Sequence, residues 1–195
     1  MNKETAVIGS LLLVPLIGTS GWLVTAIGFA LIFCLLIAGY ALLMWPLRRW
    51  IHPPQRLLAS ILLGASLVSC SELLLQAWSL ELHQALTVYL PLVSLQIVLM
   101  EYSYFFARSA RQCLCTLAGF CALLLTLSLL REALGNGTLL AHWQWLTGAA
   151  QSSRGWVLFT PGEGIRLLTL VPGGFILLGL LLAARQAWWP TTRND

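Results

Sequence analysis

The sequence predicts an all-α integral membrane protein with six transmembrane helices, arranged as two inverted repeats of three helices. The chain is 58% hydrophobic and only 9% charged, whereas soluble domains carry about 25% charged residues. Residues 21–45 carry no charge and exceed the roughly 20 residues that a spanning helix needs. Proline also interrupts the apolar segment that opens each half, at Pro15 and at Pro91. Such paired interruptions are typical of transporters built from repeats.

The first apolar segment, residues 6–17, contains Pro15 and ends at the stretch Gly18-Thr-Ser-Gly21. A lysine followed by an apolar run is also typical of a cleaved secretory signal. The proline breaks that run, however, and a second apolar segment follows directly. We therefore expect a short, broken first membrane helix.

The other five spans are expected at residues 21–45, 57–78, 85–107, 113–130 and 167–189. They form one transmembrane domain over residues 1–195, with repeat one at about 5–80 and repeat two at about 84–189. The fourth span is expected to break at Pro91, because proline removes a backbone donor. In hydrocarbon, freed backbone groups are tolerated only against protein or a wet cavity. Residues 79–84 are expected to form a loop, and 135–166 an interfacial connection, with or without a short amphipathic helix.

The charges of the loops predict the orientation. With the N-terminus inside, the inner loops hold Arg48, Arg49, Arg56, Arg108 and Arg111, and the inner tail holds Arg185 and Arg193. The long connection between the fifth and sixth spans carries Arg154 and Arg166, which weakens this asymmetry without reversing it. The short outer loop holds Glu81. This distribution follows the positive-inside rule. We expect a multi-pass protein of the bacterial inner (cytoplasmic) membrane with both termini in the cytoplasm.

Several function classes are excluded at this stage. The sequence contains no basic stripe for nucleic acid, and no glycine-rich phosphate loop or HExxH motif. The five cysteines lie in apolar surroundings and lack the spacing of a metal site. They are expected to be small buried hydrophobic residues of helices: Cys34, Cys70, Cys113, Cys115 and Cys121. No metal site is expected.

Three polar side chains within the expected spans are candidates for an ion path: Glu72, Glu101 and Gln96. A carboxylate inside a bilayer costs about 2.5 kcal/mol or more at a helix centre, so it is usually functional. The alternative for Glu72 is a hydrogen-bonded structural carboxyl. The alternative for Glu101 is an ion pair near the membrane surface with Arg108 or Arg111.

A stretch after the fifth span, Arg131-Glu-Ala-Leu-Gly-Asn-Gly-Thr-Leu139, resembles a known family. It is similar to the Rnf/Nqr membrane subunits, specifically the RnfE (NqrD-like) branch, which carries Arg-Glu-x-x-Gly-x-Gly-Thr-Leu there. The run that begins Leu170-Val-Pro-Gly-Gly174 also matches that branch. From the residues alone, the Arg131-Glu132 pair either interacts locally or binds a partner subunit. The structural motif residues are Pro15, Pro91, Arg131, Glu132, Gly135, Asn136, Gly137, Pro172 and Gly173.

The resemblance implies a subunit of a complex that couples electron flow between ferredoxin, NADH or quinone to Na⁺ or H⁺ movement. It implies an inverted RnfA-like partner, further subunits of the C, D, G and B types, and flavins and iron–sulfur clusters in those partners. It also implies two cysteines that help to hold a [2Fe-2S] cluster at the partner interface. The corresponding positions here are Val14 and Ile97, which cannot ligate iron. We therefore expect this chain alone to bind no cofactor.

The first functional hypothesis is thus a non-catalytic membrane subunit of an Rnf-type ion-translocating electron transport complex. The alternative is a stand-alone inverted-repeat transporter or channel for a small solute. A third hypothesis is an assembly factor that is absent from the mature complex.

Overall fold

The computed structural model describes residues 13–52, 55–103, 105–107, 109–141, 143–147, 156–157 and 166–188. Most of these residues are helical. The helices are α1 (13–19), α2 (Leu23–Trp50), α3 (Arg56–Trp78), α4 (Leu80–Leu86), α5 (Leu90–Tyr102), α6 (Ala110–Gly135), α7 (Gln144–Thr147), α8 (Arg166–Thr169) and α9 (Val171–Trp188), with a 3-10 turn at Phe105–Ala107. Two short strands, β1 (Thr138–Leu139) and β2 (Trp156–Val157), pair in antiparallel register.

Three helices of the described part, α2, α3 and α6, are long and apolar enough to cross a membrane. The pair α4 and α5 forms a fourth candidate span that bends by 56°. Helix α9 is apolar over a shorter stretch, Val171–Ala184. The prediction of a helical membrane protein is therefore confirmed. Most of the expected first segment, residues 6–12, lies outside the described residues.

The fourth span is broken, but not by a proline inside a helix as the sequence suggested. Helix α4 occupies the expected loop at residues 79–84, and its first turn is capped by Ser79, whose hydroxyl accepts a hydrogen bond from the Leu82 amide at 3.3 Å. The chain then turns at residues 87–89 before α5 begins. Pro91 is the second residue of α5. At that position a helix needs no backbone donor, so proline starts this helix instead of kinking it.

Three further boundaries differ from the expected ones. Helix α2 continues past the expected end at Trp45 to Trp50, and it tolerates Pro46. Helix α6 extends beyond the expected fifth span at both ends, so the Arg131-Glu132 pair lies within a helix. The connection after α6 contains the strand pair as well as the short helix α7. The strands are a local departure from the all-α prediction.

The core lies where α2 packs against α6 and where α3 packs against α5. Helices α3 and α5 are in van der Waals contact at Gly64, where an added Cβ would lie 3.7 Å from the Ser94 carbonyl oxygen. Phenylalanines of α2 fill the space towards α6: the rings of Phe33 and Phe120 lie 5.1 Å apart. Leucines cover the outward faces of the helices and are exposed, as expected for a surface in contact with lipid.

The cysteines do not all lie in the core. Cys34, Cys70 and Cys115 are exposed on the outer faces of their helices, and Cys113 and Cys121 are half-buried. The expectation of five buried cysteines is therefore wrong. A helix in lipid has no polar face that fixes which side points inward, so apolar surroundings in the sequence do not imply burial.

Candidate functional site at the helix breaks

The chain leaves helical geometry between α1 and α2, at residues 20–22. Hydroxyl groups satisfy much of the freed backbone there. Thr19 donates to the Pro15 carbonyl at 2.7 Å, and Ser20 donates to the Ile17 carbonyl at 2.9 Å. Thr25 donates to the carbonyls of Thr19 and Trp22. The break is buried, and irregular backbone at membrane depth requires this kind of pairing.

Arg131 of α6 reaches this break and is only 4% exposed. Its guanidinium donates to the Ile17 carbonyl and the Ser20 hydroxyl, both at 3.0 Å. It also donates to the carbonyls of Leu168 at 2.9 Å and Thr169 at 2.8 Å. These carbonyls belong to the C-terminal ends of α1 and α8. A cation is stabilised at a helix C-terminus because the carbonyl ends carry partial negative charge.

Glu132, the next residue of α6, is fully buried and binds the opposite kind of group. One carboxylate oxygen accepts the amide of Leu23, the first residue of α2, at 2.7 Å. The other accepts the Ala141 amide at 2.8 Å. Trp22, the N-cap of α2, provides no side-chain cap. Glu132 therefore caps α2 from a distant helix, where an anion is favoured.

We call this arrangement the break junction: residues 17–23, residues 131–132 and residues 168–169. One dipeptide binds the ends of three helices, with each charge matched to the polarity of the end that it contacts. Both side chains bind segments of this chain that are more than 100 positions away in the sequence. Removing either side chain would leave buried backbone groups unpaired, which is costly.

Glycines allow the elements of the break junction to approach one another. A Cβ on Gly135 would lie 2.9 Å from Thr169 Cγ2, and one on Gly174 would lie 3.4 Å from an Arg131 nitrogen. A Cβ on Gly173 would overlap the backbone at Leu167. Beyond α6, Asn136 is the C-cap, and Gly137 has a φ of 65°. Glycine adopts that conformation without the steric cost that a side chain brings, so Gly137 suits this turn.

The second break, between α4 and α5, meets the first. The ring of Tyr89 occupies the space where a side chain on Gly18 would lie. Tyr89 is the last residue before α5, and Gly18 is near the end of α1. The absence of a side chain on Gly18 thus permits direct contact between the two interrupted helices.

The three ion-path candidates lie on α3 and α5. Gln96 is buried on α5, facing the interior. Glu72 is half-buried, within about two turns of the end of α3 at Trp78. No hydrogen bond or ion pair joins Glu72 to another residue of the described part.

Glu101 lies at the end of α5 and forms an ion pair with Arg48 of α2 at 2.5 Å. One of the two hypotheses for Glu101 is an ion pair with Arg108 or Arg111. The structure shows an ion pair with Arg48 instead. Arg48 also lies over the Phe106 ring, 5.9 Å from its centroid. The buried phenol of Tyr40 neighbours Glu101. Glu101 thus links α5 to α2 next to the Tyr40 phenol.

The two positions that the family resemblance assigns to cluster cysteines carry side chains that do not fit an iron–sulfur cluster. Val14 is 56% exposed on α1 and Ile97 is fully buried on α5, and both side chains are hydrocarbon. Iron–sulfur clusters require thiolate or, less often, imidazole ligands. In the described part of the chain, no three His, Cys, Asp or Glu side chains are placed to hold a metal ion.

The comparisons with known proteins agree on one family of membrane subunits. A family model described as "Rnf-Nqr subunit, membrane protein" matches residues 1–182. The E-type subunit of the ion-translocating oxidoreductase complex of Pseudomonas paraeruginosa (strain DSM 24068 / PA7) is 38% identical over 180 residues, which is 89% of this chain and 75% of that protein. The protein of the same name from Pseudomonas aeruginosa (strain UCBPP-PA14) is 37% identical over 89% of this chain and 76% of its own length. The one from Aliivibrio fischeri (strain ATCC 700601 / ES114) is 29% identical over 95% of this chain and 84% of its own length.

Proposed function

Because the chain belongs to the Rnf-Nqr family of membrane subunits, we propose that it is the E-type subunit of an ion-translocating oxidoreductase complex. The chain is a non-catalytic subunit: it forms part of the membrane path for the ion, while neighbouring subunits carry the redox groups. It sits in the cytoplasmic membrane with both termini in the cytoplasm, as the loop arginines indicate.

The main structural support for this proposal is the break junction. Broken helices inside a bundle are typical of transport proteins, whose sites lie where helices are interrupted near the midplane. Here the interruption between α1 and α2 is held by two buried charges, and the interruption between α4 and α5 contacts it through Tyr89 and Gly18. A bundle that served only as an anchor would need neither break.

We propose that the six crossings form two inverted repeats, about residues 5–80 and 84–189. α1, α2 and α3 belong to the first repeat, and α4–α5, α6 and α8–α9 to the second. The contact of α2 with α6 supports this arrangement, as does the contact between the two breaks. The partner is an inverted subunit of the RnfA type that docks against the broken helices. A change in the redox state of neighbouring subunits then shifts these broken helices. The shift opens the ion path alternately to the two sides of the membrane.

Glu72 is the leading ion-path residue. It is a carboxylate on an apolar helix, half-buried, and no residue of the described part neutralises it. An uncompensated carboxylate at such a site favours the binding of a passing cation or proton. Glu101 is the weaker candidate, because Arg48 already balances its charge. Gln96 contributes a neutral polar lining.

Substitution of Glu72 tests the ion path. Glu72→Gln removes the charge and keeps the shape, so we expect ion-coupled electron transfer in membrane vesicles to fall at least tenfold. Assembly, measured by co-purification of the flavin-bearing subunits, should be unchanged. The matched control is Glu81→Gln, since Glu81 is exposed in the first turn of α4. Equal turnover in the Glu72 and Glu81 variants would show that Glu72 is not part of the ion path.

Affinity purification of the tagged chain from its own membranes tests the assignment to a complex. We expect flavin and iron to co-purify with the chain. A chain that purifies alone, and moves a small solute in vesicles without an electron donor, would refute the proposal and support the stand-alone transporter.

A further inference from the structure

Two thiols face each other where α2 crosses α6. The sulfurs of Cys34 and Cys121 lie 3.7 Å apart, in contact. Their neighbours Phe33 and Phe120 also meet, with ring centroids 5.1 Å apart. The two helices therefore touch through the same two residue types, Phe-Cys against Phe-Cys.

This pairing follows from the repeat. The two cysteines are 87 positions apart in the chain, and so are the two phenylalanines and the first residues of the two helices, Leu23 and Ala110. If α2 and α6 are equivalent helices of inverted repeats, a twofold axis passes through their crossing point. Each residue at that point then faces its own equivalent, as Cys34 faces Cys121. Both lie about 17 Å along their helices, near the middle of a bilayer about 30 Å thick.

The pair is open to the surroundings of the bundle. Cys34 is exposed and Cys121 is half-buried, so molecules dissolved in the membrane reach at least one of the sulfurs. The other three cysteines do not share this arrangement. Among the described residues Cys113 donates to the Phe105 carbonyl at 3.3 Å, and neither Cys70 nor Cys115 contacts another thiol.

We propose that Cys34 and Cys121 form a redox-active dithiol that a membrane-soluble quinone oxidises to a disulfide. Both S–H bonds break and one S–S bond forms. The two electrons and two protons pass to the quinone, which becomes a hydroquinone. The sulfurs must approach from 3.7 Å to about 2.05 Å, through side-chain rotation and a small shift of α2 against α6.

The disulfide joins the two repeats covalently at their crossing point. It therefore fixes α2 against α6 and prevents the halves from moving relative to each other. The chemistry rests on the membrane placement within the proposed function, but it does not require that the chain transports an ion. The dithiol state permits movement, and the disulfide state stops it.

Counting thiols tests the proposal independently of transport. Membranes containing the full-length protein are incubated with a short-chain quinone or with copper–phenanthroline, then denatured and alkylated with a polyethylene glycol maleimide that retards each labelled thiol on a gel. The untreated chain has five cysteines to label. After either oxidant we expect two fewer labels, restored by dithiothreitol.

Matched variants identify the pair. Cys34→Ser and Cys121→Ser each have four cysteines and should keep four labels after oxidation. Cys70→Ser also has four cysteines, but it should fall from four labels to two. A wild-type chain that keeps all labels with both oxidants would refute the dithiol. A chain that loses labels with copper–phenanthroline alone would refute quinone as the oxidant, and loss of two labels in Cys34→Ser would show that a different pair reacts.

Discussion

Replacing Arg131 should destabilise the protein more than any other single loss of charge at the break junction. In Arg131→Gln, the shorter amide loses the positive charge and at least two of the four hydrogen bonds that the guanidinium donates. Hydrogen bonds to charged groups contribute about 1.5–3 kcal/mol each, so the expected cost is about 3–6 kcal/mol. The freed acceptors include the carbonyls of Ile17 and Leu168, at the ends of α1 and α8, and both residues are buried.

Thermal unfolding measures this cost. For a chain of this size, 1 kcal/mol shifts Tm by roughly 2–4 °C, so we expect Arg131→Gln to melt roughly 6–24 °C below the wild type in detergent. Arg131→Lys should lie between the two, because one ammonium keeps the charge but does not reach the ends of both helices. Fluorescence-detected size-exclusion chromatography after heating gives the apparent Tm from small amounts of protein.

The matched control is Arg111→Gln, which removes an exposed arginine from the first turn of the same helix. Its effect should stay within roughly 0.5 kcal/mol, as for most surface substitutions. If Arg131→Gln melts within about 2 °C of Arg111→Gln, the guanidinium does not hold the helix ends together.

Two further substitutions test the neighbouring contacts. Glu132→Gln turns one acceptor into a donor that faces a backbone amide, so it should cost about 2 kcal/mol in the same melting assay; a melting temperature equal to that of the wild type would exclude the remote cap. Gly18→Val places methyl groups where the Tyr89 ring lies, and overpacking costs about 1–3 kcal/mol. The double variant with Tyr89→Ala should recover part of that loss, and an additive double loss would exclude the contact between the breaks.

The membrane class and the approximate positions of α2, α3 and α6 followed from hydropathy, because lipid demands long apolar helices. The positions of the helix breaks are harder to predict from the sequence. Proline at position 91 suggested an interruption at the residue itself, yet the chain turns just before it. Serine at position 79 followed by Glu81 is a helix-start signal, and α4 begins directly after Ser79, within the predicted loop.

The role of the Arg131-Glu132 pair was not predictable from local sequence. Their partners at Ile17 and Leu23 are 114 and 109 positions away, so only the folded chain brings them together. The resemblance to a family identified the dipeptide as a motif without assigning its contacts. The Gly-Thr-Ser-Gly stretch after Pro15 was a usable signal, since small hydroxyl residues in an apolar segment are suited to satisfy broken backbone.

Arg131 and Glu132 are consecutive residues, so their side chains leave α6 about 100° apart around the helix axis. Both are engaged at the same time, one with the ends of α1 and α8 and the other with the start of α2. Axial rotation of α6 would therefore pull at least one of them from its site, whereas tilting α6 together with the attached ends would strain neither. The two contacts therefore oppose rotation of α6 about its axis more than a tilt in which the attached helix ends move with it.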